Sequence, residues 1–273
     1  MLSNVVGIIS GGASGLGAAT ATCLVRNGAK VIVADLENQR DNFLRLATNA
    51  CAIPEVSDID PDAVLAFAPT DVTNTDDVTN ALDMAENHFG EPVNAAISCA
   101  GVANAKKTLS KKRNTSTLSP HPLDDFQKTL SVNTIGSFNL ARLAAARMAE
   151  RDPDTQKMRG CIFNTASIAA YDGQIGQVAY AASKGALVGM TLPMARDLAT
   201  FGIRVMTIAP GPFRTPILEA LPETVLNEIG KMVPCPSRLG DPDEFGQLVM
   251  SILTNPMLNG EVIRLDGALR MPP

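Results

Sequence analysis

Short, continuous apolar runs alternate with longer stretches of helical character along most of this chain, and that alternation leaves few folds open. The runs are Val5 to Ser10, Lys30 to Ala34, Val64 to Ala68, Val93 to Ser98, Cys161 to Thr165 and Ile203 to Ala209. Each is apolar on both sides of a would-be strand, as in a parallel sheet covered by helices on both faces. Between them lie an alanine-rich stretch ending at Asn27, then Glu37 to Ala50, and Thr75 to Phe89 with a hydroxyl cap, early acids and a terminal Gly90. Leu123 to Glu150 reads as one long helix interrupted by Asn133, Ala179 to Phe201 as another kinked at Pro193, and Pro242 to Leu253 as the last, before a short strand from Val262 to Leu265. The order predicts an α/β fold, a doubly wound parallel sheet of the Rossmann class. With 273 residues and no linker, repeat or low-complexity tract, the chain reads as a single domain over residues 1–273.

The first strand runs into Gly11-Gly12-Ala13-Ser14-Gly15-Leu16-Gly17, which opens a helix. Glycines let a backbone approach a pyrophosphate, and a helix N-terminus offers free amides and the positive end of its dipole. The second strand ends in Asp35, whose carboxylate can accept from both ribose hydroxyls of an adenosine and repels a 2′-phosphate, favouring NAD over NADP. Arg40 is close enough in sequence to reach that area. Past the third strand, Asp71 and Val72 are placed to meet the adenine. A glycine turn or a strand-end Asp also has an ordinary structural use, and each is a weak signal alone.

Tyr180-Ala181-Ala182-Ser183-Lys184 puts a phenol and an ammonium on one helix face at i,i+4, with Ser167 thirteen positions earlier at a strand end. A lysine held beside a tyrosine is expected to lower the phenol pKa and make it a general acid/base, while Ser167 holds the oxygen of a carbonyl or alcohol. An exposed helix with a Tyr/Lys pair of no consequence is the alternative. Asn133 is expected to bend its helix and order a water near Lys184.

Between Ala105 and Pro122 the composition breaks: Lys106, Lys107, Lys111, Lys112 and Arg113 stand among small polar residues. This loop, about 105–122, reads either as a solvated surface or as a landing site for an anionic group of a substrate. A segment at about 212–232 reads as a lid. A net charge of −5 with no long basic tract disfavours a nucleic-acid partner. Five dispersed cysteines and two histidines give a metal site little to build on, and no apolar run reaches membrane-spanning length.

The glycine loop with Asp35, Asn133, Ser167, Tyr180 and Lys184 resembles the short-chain dehydrogenase/reductase family over essentially the whole chain. The resemblance implies that Asn133, Ser167, Tyr180 and Lys184 are catalytic, and that Ser167, Gln177 and Tyr180 meet the substrate. For the cofactor it implies Ser10, Gly11, Ser14, Gly15, Leu16, Gly17, Asp35, Asp71, Val72, Cys99, Ala100, Gly101, Tyr180, Lys184, Pro210, Gly211, Phe213 and Thr215. The glycine loop, the block from Asn164 to Pro216 and the end from Leu258 to Met271 are similar to the branch acting on 3-hydroxyacyl-CoA. That similarity implies NAD-dependent interconversion of (S)-3-hydroxyacyl-CoA and 3-oxoacyl-CoA by a homotetramer that is usually mitochondrial. A steroid or other secondary alcohol is the alternative substrate, and an NAD-binding scaffold without turnover the alternative of another class. Strand-like sequence from Val5 leaves no room for a cleavable presequence, which makes a cytoplasmic address the alternative. Two positions depart from the family pattern: Ser98 stands where Asn-x-Ala-Gly has its Asn, and Asn94 where an Asp is usual, so the central sheet is expected to be held differently there. The connection from Asn49 to Ala63 is longer than the branch leads one to expect.

Overall fold

A computed structural model describes residues 2–50, 60–111 and 117–273. The glycine loop joins β1 (Val6–Ser10) to α1 (Gly15–Arg26); β2 (Lys30–Asp35), α2 (Arg40–Ala50), a short α3 (Pro61–Val64), β3 (Leu65–Pro69), α4 (Thr75–Phe89) and β4 (Ala95–Ser98) follow. Most of the long connection before Ala63 lies outside the described residues. A small antiparallel ribbon, β5 (Leu109–Lys111) with β6 (Leu118–Pro120), precedes α5 (Leu123–Leu130) and α6 (Ser137–Ala149). The rest is β7 (Gly160–Thr165), α7 (Val178–Leu198), β8 (Ile203–Pro210), two short helices α8 (Pro216–Glu219) and α9 (Glu223–Lys231) within the segment expected to be a lid, α10 (Pro242–Thr254) and β9 (Val262–Leu265).

The main sheet is parallel throughout, in the order β3-β2-β1-β4-β7-β8-β9. Successive side chains of a strand enter opposite layers. Ile9, Val31, Val33, Ile97 and Phe163 pack with α1, α2 and α10 through Leu24, Phe43 and Phe245. Ile8, Ile32, Ala96, Ile162 and Val205 pack with α4 and α6 through Leu82, Leu140 and Met148. Burial on both faces is why the runs are continuously apolar. The strand order reverses direction at β1 and β4, so the loops after these strands open a crevice at the sheet's C-terminal edge, where such folds bind ligands.

Local details differ from expectation in instructive ways. Asn74 rather than Thr75 caps α4, because its side-chain oxygen reaches the amides of Asp76 and Asp77 at 2.9 and 3.4 Å. The long helix is not continuous: a π turn, Ser131–Gly136, separates α5 from α6 and contains Asn133. Helix α7 runs through Pro193 as one element. Arg204, buried in β8, donates to the carbonyls of Ile252 and Leu253 at the end of α10 and of Leu258 beyond it. The guanidinium supplies donors where a helix end has orphan acceptors, and its charge suits the negative end of the dipole. Asn94 accepts from the Val6 amide at 2.9 Å and donates to the Asn4 carbonyl at 2.7 Å, a donation that an ionised Asp cannot make. Ser98 buries its hydroxyl without a partner among the described residues.

Candidate active site

The glycine loop is pressed into place from three sides. Gly11 has φ 64, and a Cβ on it would lie 2.6 Å from the amide nitrogen of Ala100. A Cβ on Gly17 would lie 2.2 Å from the carbonyl oxygen of Gly11, so any side chain there breaks the turn. Gly15, at φ 51, would place a Cβ 3.4 Å from the Thr215 side chain. Ser10 is buried and pairs with β4 through its carbonyl, which accepts from Cys99. Helix α1 has no acidic residue in its first turn and Ser14 makes no side-chain capping bond, which leaves its leading amides for an anionic acceptor. This cradle fits the pyrophosphate of a dinucleotide.

Asp35 accepts from the amides of Ala13 at 3.0 Å and Leu36 at 2.8 Å, tying β2 to the glycine loop. Burial pushes its carboxyl above the ordinary value while these two bonds pull it down. Arg40 is engaged elsewhere: it grips Glu37 with two bonds of 2.6 and 2.9 Å and lies over the Phe67 ring at 4.8 Å. Asp71 is exposed, and its carboxylate accepts from the amide and hydroxyl of Thr73, while Val72 is buried against Gly136.

Asn133 explains the π turn. Its side-chain oxygen accepts from the Val102 amide at 2.8 Å, and its NH₂ donates to the Val102 carbonyl at 3.0 Å and the Ser183 hydroxyl at 2.9 Å. A fully buried amide satisfied this way pins the turn between the end of β4 and α7. Ser183 in turn donates to the Tyr180 carbonyl at 2.7 Å. Gly101 lies where these parts converge: a Cβ on it would sit 3.2 Å from the Asn133 side-chain oxygen and 3.6 Å from Lys184 Nζ.

Lys184 is buried and donates to the Thr165 carbonyl at 2.7 Å, with its Nζ 5.8 Å from the Tyr180 ring centroid. Burial lowers its pKa to about 8, with the neighbouring Cys99 thiol acting in the other direction. Burial pushes the Tyr180 phenol up, and a hydrogen bond with Ser167 pulls it down. The expected lowering of the phenol by Lys184 is therefore corrected: desolvation of the ring dominates, and the ammonium is turned to the Thr165 carbonyl. Ser167 also accepts from the Ala169 amide at 3.1 Å, fixing the turn that follows β7. Cys99, whose thiol lies 3.5 Å from the Thr165 hydroxyl, is pushed up to about 11 by burial.

Gln177 holds its own loop, accepting from the Gln174 amide at 3.0 Å. Pro210 and Gly211 end β8 beside β9, Gly211 donating to the Leu265 carbonyl at 2.9 Å, and Phe213 is buried against Gly240. The Lys106 amide donates to the Gly176 carbonyl at 2.9 Å, so the basic loop is joined to the segment leading into Tyr180. The Lys106 side chain is paired with Asp125, whereas Lys107 and Lys111 are exposed. Lys112 and Arg113 lie outside the described residues. Exposed apolar side chains occur on both segments that leave the strand ends here: Ile175 and Val178 before Tyr180, and Ile217, Leu221 and Val225 on the segment that follows Thr215.

Sequence reading missed Ser183 and Thr165. Ser183 stands inside the Tyr180 to Lys184 motif and signalled itself only as a small residue; Thr165 acts through its carbonyl, which no side-chain pattern reveals.

A Rossmann sheet whose C-terminal edge gathers a glycine cradle with Ser167, Tyr180 and Lys184 defines a nicotinamide-dependent oxidoreductase. The short chain dehydrogenase family model matches residues 5–226, and the chain belongs to that family. It is 51% identical over 273 residues to 3-hydroxyacyl-CoA dehydrogenase type-2 of Homo sapiens, covering all of this chain and 97% of that protein. The protein of the same name from Drosophila melanogaster is 50% identical, with both chains fully covered. A crystal structure of 3-hydroxyacyl-CoA dehydrogenase type-2 from Mycobacterium avium superposes with a TM-score of 0.87 at 40% identity, covering 98% of this chain and 97% of that one.

Proposed function

We propose that the protein interconverts (S)-3-hydroxyacyl-CoA and 3-oxoacyl-CoA with NAD as cofactor, using Tyr180 as general acid/base. The observation that carries the acyl-CoA reading is the tie between the Lys106 amide and Gly176, which joins a cationic loop to the segment entering Tyr180. CoA has several phosphate charges on a long arm, so such a loop can hold the nucleotide end while the acyl group reaches the phenol. Turnover of acetoacetyl-CoA against free steroid and polyol substrates tests this; faster turnover of the uncharged alcohols or ketones overturns it.

In the oxidative direction, deprotonated Tyr180 takes the proton of the substrate hydroxyl while Ser167 holds that oxygen in both states. A bound nicotinamide would supply the acceptor for the hydride that leaves the same carbon. Lys184 binds the nicotinamide ribose, and proton traffic from Tyr180 runs outward through a water ordered by Asn133. Orientation and proton transfer are then the protein's contribution to rate.

Asp35 meets the adenosine ribose and disfavours a 2′-phosphate, and the cation best placed to offset it, Arg40, is held by Glu37. NAD is expected to bind at least about tenfold more tightly than NADP, about 1.4 kcal/mol. Equal affinities in a titration contradict this assignment.

Exposed cations are each worth only about 0–1 kcal/mol and are screened by salt, so the basic loop acts collectively. Changing Lys107, Lys111, Lys112 and Arg113 together to Gln is expected to raise KM for acetoacetyl-CoA severalfold, leaving kcat and the KM of an uncharged alcohol nearly unchanged. Added salt should mimic the change; equal responses by the two substrates would make the loop an ordinary solvated surface.

Gly185 and Gly189 leave open space on the outside of α7, and Leu192 is exposed on the same helix. These features support close helix approach between copies and a homotetramer, for which light scattering is the test; a stable monomer at micromolar concentration counts against it. We place the protein in mitochondria by similarity to its relatives, and recovery in the cytosolic fraction on cell fractionation contradicts that.

A further inference from the structure

The end of the chain is fastened to the loop between Ser167 and Tyr180. Arg264, at the C-terminal edge of β9, donates to Asp172 at 2.6 Å and to Asp266 at 2.7 Å, and to the Leu269 carbonyl at 2.9 Å. Its guanidinium lies 5.1 Å from the Tyr171 ring centroid. The side chains of Arg264, Asp172 and Asp266 are 19%, 18% and 6% exposed, so these pairs are partly shielded from solvent, unlike surface ion pairs. Arg270 adds a bond to Asp266 and another to the Leu269 carbonyl, and Ala268, at φ 70, donates its amide to Asp266.

The tail so shaped reaches two parts of the site. Leu269 and Met271 pack with Ile168, the residue after Ser167, and with Val233, just past helix α9. Further on, Gln174 donates to the Pro272 carbonyl at 3.1 Å, and Gln174 is also the residue whose amide Gln177 accepts. The loop 168–177 is thus held by the tail as well as by its attachment to Lys106 through Gly176.

We propose that Arg264 is a positioning residue, which straps residues 266–272 across the loop 168–177 and thereby fixes Ser167 and Gln177 for the substrate. The inference rests on the reading of Ser167 and Tyr180 given above. Arg264 touches neither reacting group; it acts through Asp172, Asp266 and the tail. Bridging two carboxylates from separate nitrogens while lying beside a ring is a geometry that a planar guanidinium provides and an ammonium does not.

The test uses the full-length protein with Arg264→Gln, Arg264→Lys, Asp172→Asn and the Arg264→Gln/Asp172→Asn double variant. NADH affinity is measured by fluorescence titration, thermal midpoint by circular dichroism, and steady-state kinetics with acetoacetyl-CoA. Arg264→Gln and Asp172→Asn are expected to raise KM for acetoacetyl-CoA by about tenfold with NADH affinity within about twofold of the parent. The double variant should be little worse than either single, since both remove one contact. Arg264→Lys, which keeps the charge, should recover part of the KM. Loss of NADH affinity and thermal midpoint in parallel with KM, or no change in KM, would overturn the strap. Failure of the parent to turn over acetoacetyl-CoA would instead refute the underlying substrate assignment, and the NADH titration separates the two cases.

Discussion

Tyr180→Phe is expected to bind NADH with an affinity within about twofold of the parent while kcat falls by about 10²–10⁴, the range that general acid/base groups contribute. The substitution removes one oxygen and keeps the ring that fills the site. It also removes the partner of the Ser167 hydroxyl, which can turn to the substrate oxygen. Lys184→Ala should harm both properties, because the lysine is the group proposed to bind the nicotinamide ribose, and its loss strips the Thr165 carbonyl of a buried donor. Stopped-flow absorbance with acetoacetyl-CoA and fluorescence titration with NADH separate the two variants. Near-normal kcat in Tyr180→Phe would move the chemistry to another group.

Gly17→Ala is expected to weaken NADH binding at least about tenfold, or more than about 1.4 kcal/mol. Gly17 lies within a regular helix and needs no unusual φ, so the effect is one of space: the added carbon meets the Gly11 carbonyl oxygen at 2.2 Å and the Gly11 carbonyl carbon at 2.8 Å. These are backbone atoms of the cradle itself and cannot swing aside as a flexible side chain would. The first turn of α1 must then move away from Gly11, and the amides facing the pyrophosphate move with it. Gly7→Ala in β1 is the control, since the nearest atoms to its added carbon lie at 3.8 Å, an ordinary contact. It should leave NADH affinity unchanged; equal losses would show that the close approach at Gly17 is unimportant.

The sheet was legible because burial on both faces leaves an unbroken apolar run for each strand, with Ile8 and Ile9 serving opposite layers. Asn133 was legible as an interruption of a helix, but not as a π turn, since that geometry depends on the Val102 amide and carbonyl brought up from β4. The pairing of Tyr180 with Lys184 followed from helical spacing. Its electrostatics did not, because spacing carries no information on burial, and burial raises the phenol and lowers the ammonium. Sequence also gave no sign of Arg264 and Asp172, which stand 92 positions apart and meet only when β9 joins the sheet. Of the departures from the family pattern, Asn94 proves to bridge Asn4 and Val6, whereas nothing in the structure explains the hydroxyl of Ser98, unpartnered among the described residues.

Supplying NAD and each enantiomer of 3-hydroxybutyryl-CoA separately, and following NADH absorbance, reads the proposed reaction itself. Absorbance is expected to rise with the (S)-thioester, and Tyr180→Phe to slow the rise by about 10²–10⁴. Absence of NADH formation from the (S)-thioester by protein that binds NAD, or preferential oxidation of the (R)-thioester, would contradict the proposal.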